Sequence, residues 1–161
     1  MKTFFFDISC HVNAPSEPIF AMLMDHEGYR FFPGFTSSKL IQAGTDHRDG
    51  VGAIRAGWFN GTYVVEEVME CEPPSKIVYK TVKCTIPLDH DGGLIELTPS
   101  AIGGTDVRWR TSFRVAVPLI GDLLGYLCAP GLDKTIHNIL NHVKREVERT
   151  QETLQLAYSK I

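Results

Sequence analysis

The sequence has no excess of basic residues. It contains 16 lysines and arginines against 19 aspartates and glutamates, which gives a formal net charge of −3 at pH 7. A chain without a strong positive field has no general means of attracting nucleic acid or an anionic membrane surface. We therefore predict that this protein has no nucleic-acid partner.

Cysteine is sparse. Among 161 residues there are four cysteines, none of them in a CxxC pair: Cys10, Cys71, Cys84 and Cys128. No secretion signal or membrane span is visible near the N-terminus, because Asp7 interrupts the short apolar run before it. We therefore expect free thiols that behave as small buried apolar side chains, in a cytoplasmic protein.

Familiar catalytic signatures are missing as well. The chain has no GxSxG, Walker, HExxH or Rossmann glycine motif. Asp89, His90 and Asp91 stand in a row within LDHDGG, but adjacent strand residues point to opposite faces, and Asp, His and Gly are frequent in turns. We interpret this segment as a turn, and we predict no metal site and no cofactor.

The patterns that are present begin with a strand and a pair of short helices. From Phe4 to Val12 the even positions are apolar, which predicts a half-buried strand. Asn13 follows as a candidate N-cap of a helix whose apolar residues recur at helical spacing. Gly28 ends or bends that helix, and HEGYRFF then predicts a second short helix or turn that ends at Pro33-Gly34.

Six strands and one long helix account for the rest of the chain. The strands are predicted at residues 36–43, 52–59, 62–71, 76–85, 94–98 and 105–117. Their connections are too short for crossovers, so the strands should pair antiparallel. A continuous apolar stripe from Leu132 to Val147 predicts a helix over residues 132–157.

This order of elements resembles the START-like superfamily, also called SRPBCC, of the polyketide cyclase/dehydrase type. The similar phrases are NAPSEPIFAMLMDHEGYRFFPGF, DGVGAIRAG, MECEPPSKIVY, GGTDVRWR and PLIGDLLGYL. The resemblance implies an α+β, Bet v-type helix-grip fold in a single domain, residues 1–161. In it a curved seven-stranded antiparallel sheet wraps a long C-terminal helix, two short helices lie between strands 1 and 2, and an apolar cavity remains between sheet and helix.

The Asn60-Gly61 dipeptide fixes the register of one strand pair. In a two-residue type I′ hairpin Phe59 faces Thr62, which places Arg55 opposite Glu66 on the same face. Apolar residues are more numerous on the other face, which would make that face the interior. The resemblance of GAIR to a GSVR phrase in abscisic acid receptors, which are members of the superfamily, implies instead that Arg55 and Glu66 face the pocket. A solvent-facing ion pair is the alternative.

Other candidate ligand-binding residues come from alternation and from the resemblance. In the last strand the odd-numbered residues should face inward, because charged residues occupy the even positions. With the preceding strand, the phrase YRFFPGF and the final helix, the predicted ligand-binding set is Arg55, Glu66, Trp109, Thr111, Phe113, Phe32, Tyr79, Ile95, Leu97, Ile136 and Leu140. From the helix pair, Tyr29, Phe31 and Phe35 are also expected to line or cover the cavity.

These residues lead us to expect binding or transport of a small hydrophobic molecule, such as a lipid, a polyketide or a quinone-like compound. The alternative is a polyketide aromatase/cyclase, with Arg55, Glu66, Tyr63 and Tyr79 as candidates. The hormone receptors' gate loop and acid-gripping lysine have no counterpart here, so a carboxylate ligand is not expected. Residues 118–132, with three glycines and two prolines among apolar residues, suggest a mobile flap or transient membrane contact, or a helical turn packed on the sheet edge.

Overall fold

Seven antiparallel strands form one sheet in the order β1-β7-β6-β5-β4-β3-β2. The computed structural model describes residues 1–159. Its elements are β1 (Phe4–Val12), α1 (Ser16–Met24), a short 3-10 helix (Gly28–Phe31), β2 (Phe35–Gln42), β3 (Ile54–Phe59), β4 (Thr62–Glu72), β5 (Lys76–Cys84), β6 (Leu88–Pro99), β7 (Thr105–Val115) and α2 (Gly121–Tyr158). The predicted helix-grip fold is confirmed.

The core lies between the sheet and α2. On α2 the residues Ile136, Ile139, Leu140, Val143 and Val147 are buried, and they form one apolar stripe along the helix. They pack with inward-facing side chains of β1, β6 and β7 and with the buried face of α1. The sheet therefore closes over the helix along this stripe, and burial of the stripe supplies the main driving force for the docking of α2.

The terminal helix begins eleven residues earlier than the predicted start, at Gly121 instead of residue 132. Pro130 lies inside it, where proline normally disfavours a helix because it has no N–H to donate. Gly125 has a packing role: a Cβ atom at this position would lie 2.1 Å from Cε2 of Phe4. Gly125 thus allows the helix to approach β1, and the segment is helical from Gly121 onward, as the alternative of a packed helical turn predicts.

One local prediction at a helix boundary is wrong. Asn13 does not cap α1, because the N-cap residue is Pro15 and it makes no side-chain capping bond. The backbone N–H of Asn13 donates instead to Oε1 of Glu148, at 2.8 Å, and ties the loop to α2. The four cysteines are free as expected, but they are half-buried and not fully buried.

The segment LDHDGG is not a turn, because β6 starts at Leu88 and continues through it to Pro99. The register with β7 shifts between His90 and Gly92, and Gly92 has a φ of +123°. Such a bulge inserts one extra residue and redirects the side chains near it. The residue types that usually form turns here form a bulge inside a strand. The other strand ends agree with their predictions within two residues.

Candidate ligand-binding site

A cavity of about 330 Å³ lies between the sheet and α2. Its walls come from β2 to β7, from α2, and from Tyr29 of the 3-10 helix. Most of the lining is apolar, with Trp109, Phe113 and Ile136 among the larger side chains. This volume is at the lower end of the range that is usual for small-molecule pockets.

The cavity occupies only one end of the interior. Of the predicted ligand-binding set, the structure places seven residues on its walls: Arg55, Glu66, Tyr79, Trp109, Thr111, Phe113 and Ile136. The other four, Phe32, Ile95, Leu97 and Leu140, are buried in the packed core and do not line the cavity. They face the same interior, but α1 fills their end of it with Ile19, Phe20 and Leu23.

The aromatic residues after α1 divide between cavity wall, core and surface. Tyr29 and Phe35 line the cavity, and their ring centroids are 5.4 Å apart. Phe32 packs between Tyr29 and His142, with 4.5 Å between ring centroids on each side. Phe31 is 71% exposed. Tyr29 and Phe35 therefore close one end of the cavity, and Phe32 packs against the Tyr29 ring.

The hairpin between β3 and β4 has the predicted register. Asn60 and Gly61 both have positive φ, 44° and 78°, as a type I′ turn requires. Arg55 pairs with Glu66, and both side chains line the cavity. The more apolar face is on the outside, where the rings of Trp58 and Tyr63 are 5.4 Å apart. Tyr63, a candidate for the enzyme alternative, is therefore not part of the cavity wall.

Arg55 and Glu66 form an ion pair inside the cavity. Nε of Arg55 donates to Oε2 of Glu66 at 2.8 Å, and the arginine is 8% exposed. The guanidinium carbon lies 5.5 Å from the ring centroid of Tyr29 and 5.3 Å from that of Tyr79, which adds two cation–π contacts. Burial acts against the charged form, but Glu66, Tyr29 and Tyr79 together outweigh it, and the pKa of Arg55 is raised.

His90 is a cavity residue that the sequence interpretation missed. Its Nδ1 accepts the backbone N–H of Thr81 at 3.0 Å, and its Nε2 lies 2.8 Å from Oγ1 of Thr111. Because Nδ1 acts as an acceptor, Nε2 carries the proton and donates it to Thr111. Burial lowers the pKa of His90, which keeps the ring neutral. The Thr111 hydroxyl in turn donates to the carbonyl of Gly92, at 3.2 Å.

Tyr79 stands next to this cluster. Its phenol oxygen accepts the indole N–H of Trp109 at 2.9 Å, and burial raises the pKa of the phenol. The Tyr79 ring lies over its cross-strand partner Gly93, where a Cβ atom would come within 2.1 Å of Cζ. The glycine therefore makes room for the ring, whose phenol also lies beside the Thr111 hydroxyl.

The mouth of the cavity lies between the β3–β4 hairpin, the segment after β5 and the first half of α2. Leu127 lines the cavity and is also 70% exposed, which marks the opening. Asn60 Nδ2 donates to Oγ1 of Thr135 at 3.4 Å and links the hairpin tip to the helix. Leu119, Ile120 and Leu123 are exposed on the approach to this opening.

Residues 1–159 offer no candidate for two further kinds of site. No group of three or more His, Cys, Asp or Glu side chains there is arranged to hold a metal ion. Nor is any helix in this part of the chain long and apolar enough to cross a membrane.

A helix-grip fold with an apolar cavity between sheet and helix defines a protein of the START-like superfamily. The chain belongs to the family described as polyketide cyclase/dehydrase and lipid transport, whose model matches residues 4–148. Family membership supports a role in hydrophobic ligand binding or polyketide cyclisation in general terms. No curated protein matches the chain significantly.

Solved structures with the same fold share little sequence with this chain. A protein from Thermus thermophilus has a TM-score of 0.73 and 17% identity over 91% of this chain and 99% of its own. A START superfamily protein from Mycobacterium smegmatis has a TM-score of 0.64 and 16% identity, with 93% and 98% covered. BexL, a di-domain ARO/CYC protein, has a TM-score of 0.71 and 18% identity, with 91% of this chain and 50% of BexL covered.

Proposed function

We propose that this protein binds and carries a small hydrophobic molecule in the cavity between the sheet and α2, such as a lipid, a polyketide or a quinone-like compound. The observation that carries the proposal is the cavity of about 330 Å³ with largely apolar walls. Protein interiors are normally filled to crystal-like density, so open apolar space of this size needs a reason. Occupancy by an apolar ligand is the simplest one.

The position of the mouth supports transfer of a ligand that is poorly soluble in water. Exposed Leu119, Leu123 and Leu127 follow one another along a single side of the first turns of α2 and the loop before it, up to the opening. An apolar molecule that leaves the cavity there would meet apolar surface before water. We accordingly propose transient membrane contact through residues 118–132, and a cytoplasmic location remains a prediction.

Ligand retention is tested by native mass spectrometry of protein purified from its own host, followed by extraction of the bound compound. We expect a retained lipophilic molecule in the wild-type protein. Cys128→Phe places a ring in the cavity wall and should reduce the retained fraction on the order of tenfold, because the ring takes the ligand's space. Retention unchanged in Cys128→Phe would contradict the proposal.

The matched control for this experiment is Leu123→Phe. It also introduces a phenyl ring on the first half of α2, at a position that is 62% exposed and does not line the cavity. Retention should therefore equal that of the wild type. A wild-type protein that carries no compound, from host or from added lipid, would count against carriage altogether.

A second candidate function is polyketide cyclisation. It is favoured by the polar groups inside the cavity, since Arg55, Glu66 and Tyr79 could hold and protonate a folded poly-β-keto chain. BexL, which is named as an ARO/CYC protein, shares the fold. Turnover of a poly-β-keto substrate that is lost in Tyr79→Phe, with binding retained, would favour the enzyme over the carrier.

A further inference from the structure

We propose that the cavity selects an uncharged ligand with a hydroxyl group at its buried end. The proposal rests on the proposed function, because it names the chemistry of the molecule that would occupy the same cavity. It is carried by donors and acceptors on the cavity wall that have no hydrogen-bond partner among the residues that the structure describes. A single hydroxyl can satisfy both kinds at once.

The unpaired donors belong to Arg55. Its only side-chain hydrogen bond to the residues that the structure describes runs from Nε to Glu66. The guanidinium also interacts with the Tyr29 phenol, but neither Nη group makes an aligned hydrogen bond to residues 1–159, and Arg55 lines the cavity. N–H groups that open onto a largely apolar cavity favour a ligand that offers an oxygen lone pair.

The unpaired acceptor is on Glu66. Oε2 accepts from Arg55 at 2.8 Å, and Oε1 has no hydrogen-bond partner among residues 1–159. A hydroxyl placed beside the pair can accept from an Nη group and donate to Oε1. An ether or a ketone could only accept, and a hydrocarbon would leave both groups without a partner. Sites that are built to bond a hydroxyl discriminate strongly against analogues that lack it.

A negatively charged ligand is disfavoured at the same place. Glu66 already supplies the counter-charge to Arg55, so a second carboxylate would meet a cation that is neutralised and an anion that repels it. No other cationic side chain lines the cavity among the described residues. The ligand that matches this wall is therefore neutral.

The neighbouring network strengthens the acceptor side of the recognition. The Thr111 hydroxyl is committed, because it accepts from His90 and donates to the Gly92 carbonyl. The Tyr79 oxygen already accepts from Trp109, which leaves its proton as a further donor. The neutral His90 ring adds no charge to the wall. The ligand's oxygen thus meets donors from Arg55 and Tyr79, and Glu66 offers its free carboxylate oxygen.

Four naphthalene probes that differ in one substituent test this selection by titration calorimetry. They are 2-naphthol, 2-methoxynaphthalene, 2-methylnaphthalene and 2-naphthoate. We expect 2-naphthol to bind on the order of tenfold more tightly than 2-methylnaphthalene, because hydrogen bonds to charged groups are the stronger ones. The methoxy probe, which accepts but cannot donate, should fall between them, and 2-naphthoate should bind most weakly.

Glu66→Gln provides the second arm. The variant leaves Arg55 without its counter-charge, so 2-naphthoate should gain on the order of tenfold while 2-naphthol loses its advantage. The matched control is Glu67→Gln, which makes the same change on the next residue of β4, outside the cavity lining. It should keep the wild-type ranking. Thermal unfolding of each variant verifies that it is folded. The order of probe affinities for the wild-type protein is a test that does not depend on any variant.

The outcomes separate this inference from the carrier proposal. Equal binding of 2-naphthol and 2-methylnaphthalene would overturn the selection of a hydroxyl while supporting an apolar carrier. Preferential binding of 2-naphthoate by the wild type would overturn neutrality and again leave the carrier intact. Failure of all four probes to bind would overturn both proposals.

Discussion

Gly93→Ala is expected to destabilise the protein by about 2–4 kcal/mol and to weaken ligand binding. The added Cβ atom would lie 2.1 Å from Cζ of Tyr79 and 2.5 Å from its hydroxyl oxygen, so the ring must leave its place. Its displacement breaks the hydrogen bond from the indole of Trp109 and the cation–π contact with Arg55. The empty space next to the ring is the cavity, so the ring should turn into the volume that a ligand would occupy.

The same glycine-to-alanine substitution at Gly131 should instead increase the free energy of unfolding. A Cβ atom there would meet no atom within 4 Å, and the residue lies inside α2. Gly131→Ala should therefore stabilise the protein by about 0.5–1 kcal/mol, the usual gain in a helix. Urea unfolding of both variants and calorimetric titration with 2-naphthol provide the measurements. Equal stability of Gly93→Ala and wild type would show that the Tyr79 ring does not depend on this glycine.

For the β3–β4 hairpin, the sequence predicted the register of the two strands, but the apolar pattern did not predict which face lines the cavity. The Asn60-Gly61 turn was enough to place Arg55 opposite Glu66, because the register of a two-residue hairpin is fixed by geometry. The face that points inward could not be obtained by counting apolar residues. The more apolar face of the β3–β4 hairpin carries Trp58, which is 44% exposed, while the cavity face carries an ion pair. Polar groups placed in a core for function reverse the usual rule that the more apolar face of a strand points inward.

The residues that sequence reasoning misplaced depend on three-dimensional packing. Ile95 and Leu97 do face the interior as alternation predicts, but α1 fills the space in front of them, and no local pattern records which end of an interior stays open. His90 was missed because its neighbours in LDHDGG have the composition of a turn. The bulge at Gly92 uses those residue types inside β6 and brings the imidazole into the cavity wall. A strand traced back from Leu94 with one bulged residue would have included it.

A pronounced loss of stability in mild acid is expected from His26. This histidine is completely buried, and neither ring nitrogen has a hydrogen-bond partner within residues 1–159. Burial, followed by the positive charges of Arg55 and Arg48, lowers its pKa from 6.5 to about 2. Oδ1 of Asp49 lies 3.2 Å from Nδ1 without hydrogen-bond alignment. Arg48 also contacts the other oxygen of Asp49 and offsets its charge.

The direction of the pH dependence follows from this lowered pKa. The unfolded chain binds a proton at His26 near pH 6.5, whereas the folded chain does not until the pH approaches about 2. Stability is therefore complete above pH 6.5 and falls as the pH falls, with a limiting slope of about 1.4 kcal/mol per pH unit. His26 alone should make the protein about 2 kcal/mol less stable at pH 5 than at pH 7.

His26→Phe isolates this contribution, because it keeps a ring of similar shape and removes the titrating group. We expect the variant to be at least as stable as the wild type at pH 7, since two unpaired buried nitrogens are removed, and to lose about 2 kcal/mol less between pH 7 and pH 5. Urea unfolding at pH 7, 6 and 5 measures both effects, with His137→Phe as the same change at an exposed position.

Other histidines also contribute to the pH dependence of stability, in the wild type and in His26→Phe alike. Burial also lowers the pKa of His90 and of His142, so His26→Phe should retain part of the slope. The hydrogen bonds of His11 with Asp106 and Asn13 raise the pKa of this half-buried histidine, which adds stability below pH 6.5 and acts in the opposite sense. Above pH 5 the carboxylates are ionised in both states and contribute little. Identical slopes for wild type and His26→Phe would show that the folded protein protonates this buried ring as easily as the unfolded chain does.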